Sequence, residues 1–510
     1  MFSRILSGAC LGISCYLMQI EVDISSGLPA MIMVGSPGNT IREGADRIRA
    51  ALRNCGFYLP ACRITVNFTP ADVPKRDMIA DLPVAAGILI CMDVLPPDSF
   101  QDCIILGELS LDGDIRPVKG VLPIVEEAKK QGVRTVILPA ENSAEASIVE
   151  GMRIIGVRTL RQLIDWTIAA PQYKDRIIPP AVPEPSMLFS SEQDAPEFDF
   201  SSVYGQHSIK HVLEIAASGG HNVLMIGPPG SGKSMLAKCV PGILPPLTRE
   251  ESLELTRIYS IAGKLDSEHP LLQKRPFLSP HHSVSRAALI GGGMVPSPGQ
   301  ITLAHRGILF LDELPEFPTE LLNMLREPLE EKKVTITRAG ASAVFPANNI
   351  LIAAANPCPC GYYPDMNRCT CTQPQIEHYR NKIPGPILDR IDLYADVSPV
   401  KIKDLLEYPE EESSDVIRSR VIKVRQKQQE RFDGTGIACN ADMGTDEIAK
   451  FCILGTKEKE FVSQLFNKLG LTARSYHKLL KTARTIADMQ DSDRILTEHI
   501  AEAAAYRRRN

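Results

Sequence analysis

No run of about 18 apolar residues occurs in the chain, so no membrane-spanning helix is expected. Excess positive charge is missing too. The formal net charge is −5 over 510 residues, which removes global attraction to phosphate, so any nucleic-acid contact must rest on basic groups gathered locally. The spacing of the cysteines offers no disulfide framework: most of the 13 fall in apolar stretches, as Cys91, Cys103 and Cys239 do, and read as free thiols of a reducing compartment, the cytoplasm. A secretion signal is not expected either. The mildly apolar run from Arg4 to Ile20 is followed by no small-residue cleavage site, and Tyr16 to Ile24 reads partly as an alternating strand. What is present is a globular composition, 44% hydrophobic and 23% charged, in a chain too long for one core. Two to four domains of roughly 100–200 residues each are expected.

Residues 1–168 read as an α/β domain, with strands at Met18–Ile24 and Arg63–Phe68 and helices at Ile41–Asn54 and Leu122–Gln131. Residues 169–202 follow as a linker: from Pro171 to Phe200, five further prolines (Pro179, Pro180, Pro183, Pro185 and Pro196) and several acidic residues predict an extended segment without a core. Residues 203–397 form a second α/β block. From 398 to 510 the periodicity is helical with no convincing strand, which predicts a separate helical domain.

The chemistry is concentrated in the second block. The apolar strand Asn222–Ile226 runs into Gly227-Pro228-Pro229-Gly230-Ser231-Gly232-Lys233-Ser234 and then a helical stretch, the context a phosphate-binding loop requires. Its glycines let backbone N–H groups wrap phosphate oxygens at a helix N-terminus, Lys233 is placed to reach the β- and γ-phosphates of ATP, and Ser234 to hold Mg²⁺. A second apolar strand, Gly307-Ile-Leu-Phe-Leu-Asp312-Glu313, ends in two carboxylates. Phosphoryl transfer to water divides the labour between such a pair: Asp312 for the Mg²⁺ shell, Glu313 to orient and deprotonate the attacking water. A third strand, Asn349–Ala355, ends in Asn356, whose amide suits positioning of the same water.

This order of loop, carboxylate strand and polar-tipped strand resembles the AAA+ class of P-loop NTPases. Tyr204-Gly205-Gln206 looks like the adenine-side segment of that class. Gly385-Pro-Ile-Leu-Asp-Arg390-Ile-Asp resembles the arginine-finger segment of magnesium-chelatase-type ATPases, which implies that Arg390 acts in a neighbouring subunit's site; a buried salt bridge to Asp389 or Asp392 is the plainer reading. Leu471-Thr-Ala-Arg474 opens a helix whose Leu479, Leu480, Ala483 and Ile486 face one way. By resemblance Arg474 is a second sensor touching the γ-phosphate from a helical lid, against a surface bridging role. A site drawn from two subunits implies a closed ring, a homo-hexamer by family analogy.

The stretch Arg275-Pro-Phe-Leu-Ser-Pro-His281-His282 and onward to Gly293 is similar to the helix-two insertion of the magnesium-chelatase ATPase subunit. Adjacent histidines do not converge on one ion, so the pair is not read as a metal site. Ser26-Gly-Leu-Pro-Ala30, Val34-Gly35 and Gly107-Glu-Leu-Ser-Leu-Asp-Gly-Asp-Ile-Arg-Pro-Val118 resemble the domain that the ComM and YifB group shares with the Lon protease catalytic fold, a ribosomal S5-like α/β fold. With the ATPase block and lid, this resemblance covers nearly the whole chain. The Lon dyad is missing: Ile79 stands at the serine position and Leu122 at the lysine position, with Lys75 and Lys119 displaced, and an aliphatic side chain neither attacks a peptide nor takes a proton. The ComM resemblance implies a branch-migration helicase acting on branched or single-stranded DNA during natural transformation. The alternative is a chelatase-like or protein-remodelling ATPase without DNA activity.

Three further features carry open readings. Lys332, Lys333 and Arg338 flank a Val-Thr-Ile-Thr strand, either as pore-facing contacts to phosphate or as ordinary solvated charges. Arg420, Lys423, Lys427 and Arg431 fall near one helical face, more readily a solvated face than a DNA or partner contact. Cys358, Cys360, Cys369 and Cys371 offer four thiols after Asn356, which suit tetrahedral structural zinc or remain free or redox-active.

Overall fold

A computed structural model describes residues 1–35, 39–70, 80–183, 189, 197–293, 296–338, 341–399 and 410–507. The N-terminal part is a seven-stranded mixed sheet built from β1 (Phe2–Leu11), β2 (Ser14–Ser25), β3 (Ala30–Val34), β4 (Arg63–Thr69), β5 (Cys103–Ile105), β8 (Thr135–Pro139) and β9 (Arg153–Val157), in the order β3-β4-β2-β1-β5-β8-β9. A small β6/β7 ladder (Glu108–Leu109 with Ile115–Arg116) stands beside it. Strand alternation sends Met18, Ile20 and Val22 of β2 to one core, covered by the helices Asn39–Asn54 and Asp81–Cys91. Leu17 packs on the other face, against the helix Val121–Lys130. The strands and helices expected here from periodicity are all present, within two residues except that β2 begins four residues before the expected Met18.

Two expectations for this part need correction. Cys10 and Cys15 are directly opposed in the β1/β2 register and are joined by a disulfide, so the free-thiol reading holds for Cys91, Cys103 and Cys239 but not for this pair. The segment read as an extended linker begins as a helix, Pro171–Ile177, with proline at its first turn, where no N–H is needed. It is anchored beyond that helix as well: Ile178 is buried, Ala181 bridges to Ile154, and Phe200 is fully buried in the core of the block that follows. Pro185 and Pro196 lie outside the described residues, as do Lys75 and Ile79 of the Lon comparison. Leu122 is fully buried, and its N–H donates to Glu145 at 2.8 Å.

The second sheet is parallel, with β10 (Val223–Ile226), β11 (Phe277–Leu278), β14 (Ile308–Leu311), β17 (Ile350–Ala355) and β18 (Leu393–Asp396) in the order β11-β14-β17-β10-β18. Its inner strands are continuous apolar runs because both faces are covered: β14 and β17 are buried at every residue. The ladders β12/β13 (Gly291–Gly292 with Ser297–Pro298) and β15/β16 (Lys333–Arg338 with Ala341–Pro346) project from it. The N-terminal part is fastened to this unit through the helix Arg249–Ala262: Arg257 forks onto Glu126 at 2.6 and 2.8 Å, the Ser260 hydroxyl donates to Glu145, and the Gly120 N–H donates to the Ser260 carbonyl at 3.1 Å.

Described residues from 410 onward are helical, with no strand. Yet this part lacks the separate core expected of it. Leu479, Leu480, Ala483 and Ile486 join Val223, Met225 and the helix His207–Gly219 in one continuous cluster. Most of the basic residues on Ser414–Arg431 have acidic partners. Arg420 bridges Glu214 and Glu412, Lys427 pairs with Asp491 and Arg431 with Asp488, leaving Lys423 exposed. These charges hold the lid in place.

Candidate functional site

The C-terminal ends of three adjacent strands converge, the usual ligand position in an open parallel sheet. In register, Ile226 of β10 lies beside Ala355 of β17, and Leu311 of β14 beside Ala353. The chain leaves β10 through Gly227 to Gly232 and enters the helix Lys233–Cys239. Gly230 and Gly232 carry φ of +77° and +86°, which a side chain would strain, so these two glycines let the loop curl around a phosphate-sized volume.

Lys233 is 9% exposed. Its Nζ donates to the Gly227 and Pro228 carbonyls at 2.7 and 2.9 Å and to Asn356 Oδ1 at 3.3 Å. Burial pulls its pKa down, opposed by the charges of Asp312 and Glu313. The Ser234 hydroxyl donates to Asp312 Oδ2 at 2.6 Å. This hydroxyl and carboxylate form the hard oxygen donor set that Mg²⁺ prefers. Glu313 turns sharply off β14 with φ 50° and ψ 47°, a left-handed conformation that costs a non-glycine residue on the order of 1–3 kcal/mol and clusters at functional sites. Its N–H caps Asp312 Oδ1 at 2.9 Å. The segment Tyr204–Gln206 also reaches the loop, since Gln206 Nε2 donates to the Ser231 and Ser398 carbonyls at 3.4 and 2.5 Å.

The two arginines are elsewhere. Arg390, 7% exposed, donates to Glu330 Oε2 at 2.5 Å and to the Pro386 carbonyl at 2.8 Å. Arg474 donates to Glu330 Oε1 at 3.1 Å. Both line a cavity with Asp392, Lys478 and Lys481 that contains no residue of the phosphate loop. Arg474 therefore does not touch the phosphate loop of its own chain, because the helix Ala473–Met489 packs its N-terminus beside Glu330. The bridge expected from Arg390 to Asp389 or Asp392 goes to Glu330 instead.

Two residues stand where sequence gave no role. Glu330 gathers Arg390, Arg474 and, at 4.0 Å, Arg326. His282, in the inserted segment, brings Nδ1 to 3.8 Å from a Glu313 oxygen. The rings of His281 and His282 are 4.0 Å apart. Of the hairpin cations, Lys332 pairs with Asp442 and Lys333 with Glu331, both near 3.7 Å or closer; the side chain of Arg338 lies outside the described residues.

Cys358, Cys360, Cys369 and Cys371 bring their sulfurs within 4.8 Å of one another. Three of the separations are 3.3, 3.5 and 3.8 Å. Zinc–sulfur bonds of about 2.3 Å in a tetrahedron put sulfurs roughly 3.8 Å apart, so the cluster has the dimensions of a zinc site.

Comparison with known proteins covers the chain almost end to end. The family described as magnesium chelatase, subunit ChlI, matches residues 199–405, a second ChlI family matches 20–142, and the ChlI C-terminal family matches 411–507. The competence protein ComM of Haemophilus influenzae is 41% identical over 504 residues, 99% of this chain and 97% of its own. YifB of Escherichia coli, a protein without a described function, is 39% identical over 501 residues, 98% and 96% of the two chains. Lon protease 2 of Bacillus subtilis is 28% identical over 172 residues, 30% of this chain and 31% of its own.

Proposed function

Because the chain belongs to the ComM and YifB family of magnesium-chelatase-type AAA+ ATPases, we propose that it is a cytoplasmic ring motor that hydrolyses ATP to drive branch migration of DNA. The observation that carries the ATPase reading is the convergence of Lys233, Ser234, Asp312 and Asn356 at three neighbouring strand ends. In this reading Lys233 neutralises the β- and γ-phosphates. Ser234 and Asp312 hold Mg²⁺, which supplies charge neutralisation along the phosphate chain. Glu313 accepts a proton from water as the water oxygen bonds to the γ-phosphorus, and the bond to the β-phosphate oxygen breaks to release ADP. Asn356 orients that water.

Arg390 and Arg474 complete the site from a neighbouring subunit, where they offset the charge on the transferring phosphoryl group. Their shared placement at Glu330, off the phosphate loop of their own chain, supports a trans role for both and hence a closed ring, which we take as a homo-hexamer. Cys358, Cys360, Cys369 and Cys371 are read as ligands of a structural zinc ion.

The DNA reading is supported by the competence protein similarity along the full chain and by the β15/β16 hairpin. Val334, Ile336, Ala343 and Phe345 bury one face of that hairpin, while Lys333, Thr335, Thr337 and Val344 stay exposed on the other. Repeated around a ring, such a face would bring Lys333 of each subunit to a pore, where one cation per subunit becomes several along a phosphate backbone. The test is ATP hydrolysis and processing of three-way and four-way junctions by the purified protein, with Glu313→Gln as control. Junction processing that vanishes in the control supports the proposal; turnover that junction DNA neither stimulates nor harnesses moves the assignment to a chelatase-like or protein-remodelling motor.

A further inference from the structure

The loop that carries the four cysteines is built directly onto the phosphate loop. Gly361 lies between Cys360 and Cys369 in the chain, with φ +86°, and packs so closely on Pro229 that a Cβ at Gly361 would sit 2.5 Å from Pro229 Cδ. Its N–H donates to the Cys358 carbonyl at 3.0 Å. Cys358 is fully buried, two residues after Asn356, and its sulfur accepts the Tyr363 N–H at 3.4 Å. Arg380 donates to the Pro357 carbonyl at 3.3 Å and places its guanidinium over the Tyr363 ring. Pro359, Asn356 and Glu313 line one cavity of about 670 Å³ with Gln375, Tyr379 and Lys382. The cysteine loop, the water-positioning amide and the catalytic carboxylate thus share one wall.

We propose, resting on the zinc reading of the four cysteines, that the metal-bound knuckle is a clamp on the nucleotide site: zinc holds Gly361 against Pro229 and fixes the exit of β17 at Asn356, and metal loading thereby sets the affinity for nucleotide. The physical reason is local. Between Ala355 and the helix Gln373–Asn381 the described residues form no helix or strand, so four metal–sulfur bonds would be the main restraint on a loop whose inner face must match the phosphate loop within the van der Waals gap. No coordination position is left for water or substrate when four thiolates bind, so the ion positions and does not catalyse.

The experiment has separate arms for the metal and for the clamp. Metal analysis of the purified full chain is expected to find stoichiometric zinc, lost in Cys369→Ser/Cys371→Ser; its absence from the unaltered protein overturns the zinc reading and the clamp with it. Fluorescent ADP binding is then titrated in excess Mg²⁺ before and after stripping zinc with a nitrogen-donor chelator that leaves Mg²⁺ in place. The clamp predicts affinity weakened on the order of tenfold and restored by added Zn²⁺. Unchanged affinity of a zinc-free, folded protein overturns the clamp while leaving the zinc site standing. Should stripping unfold the chain, Gly361→Ala decides: all four thiols remain, zinc should stay stoichiometric, and ADP affinity should fall because Pro229 must move. Full zinc with unaltered ADP affinity in that variant overturns the clamp.

Discussion

The phosphate side and the arginine side of this molecule are built on opposite principles. On the phosphate side, residues from three strand ends already touch one another within a single chain: Lys233 reaches Asn356, and Ser234 reaches Asp312. On the arginine side, Arg390 and Arg474 converge on Glu330, remote from the loop they would serve. In the proposed ring the first is a half-site that takes nucleotide, and the second is a pair of cations held on a carboxylate until a neighbour presents its phosphates. So arranged, the proposed site would make hydrolysis conditional on assembly.

The sharpest way to break the contrast is Arg390→Ala. A trans arginine is worth roughly 10³–10⁵ in turnover, so the variant should lose ATP hydrolysis by about that factor while binding nucleotide with near-normal affinity, as separate kcat and ADP-binding measurements would show. Glu313→Gln acts on the other half. Removing the general base should lower turnover by about 10²–10⁴ and leave ATP trapped, measured as nucleotide retained after gel filtration.

A smaller effect tests what the arginine side stands on. Beside it, His221 is fully buried between Thr485 and Asp392, and burial pushes its pKa down to about 4, with the Asp392 charge opposing and those of Lys481, Arg425 and Lys478 assisting. The unfolded imidazole takes its proton near pH 6.5, as ordinary histidine does. Between pH 6.5 and 4 the unfolded chain therefore binds more protons, and stability present above pH 6.5 is lost as pH falls through this window, by about 3 kcal/mol. Denaturant unfolding across pH 4–7 should show that loss, and His221→Gln should flatten it; an equal slope in the variant would contradict the assignment. The smallest effect belongs to Glu330→Gln. Glu330 is 42% exposed at its side chain, so its loss should change the stability of the isolated subunit by no more than about 1 kcal/mol, while freeing both arginines and altering the ATP concentration at half-maximal rate.

The same contrast governs what could be read without a structure. Asp312 and Asn356 are each announced by an apolar strand immediately before them, and Lys233 and Ser234 by a strand and its glycine-rich exit loop, because a buried parallel strand and its exit loop are local in sequence. Glu330 carries no such signal: it meets Arg390 and Arg474 across 60 and 144 residues, and periodicity tells which way a helix faces but not what it faces. The lid illustrates this. Leu479, Leu480, Ala483 and Ile486 were legible as one apolar stripe, but that the stripe would fuse with the core of β10 was not. Charges misled for a related reason: Arg420, Lys427 and Arg431 read as a basic face, while their partners Glu214, Asp491 and Asp488 come from other helices or turns. His282 was weighed only as a metal ligand, since its approach to Glu313 depends on how the inserted segment folds back.

The central claim is that one working site takes its phosphate half from one subunit and its arginine half from the next. Mixing purified Lys233→Ala and Arg390→Ala proteins, each inactive alone, tests it most directly. The account predicts that ATP turnover reappears in the mixture, because an Arg390→Ala subunit supplies an intact phosphate loop to a neighbour whose arginines are intact. No recovery, in mixed assemblies demonstrated by co-purification of differently tagged subunits, would contradict it.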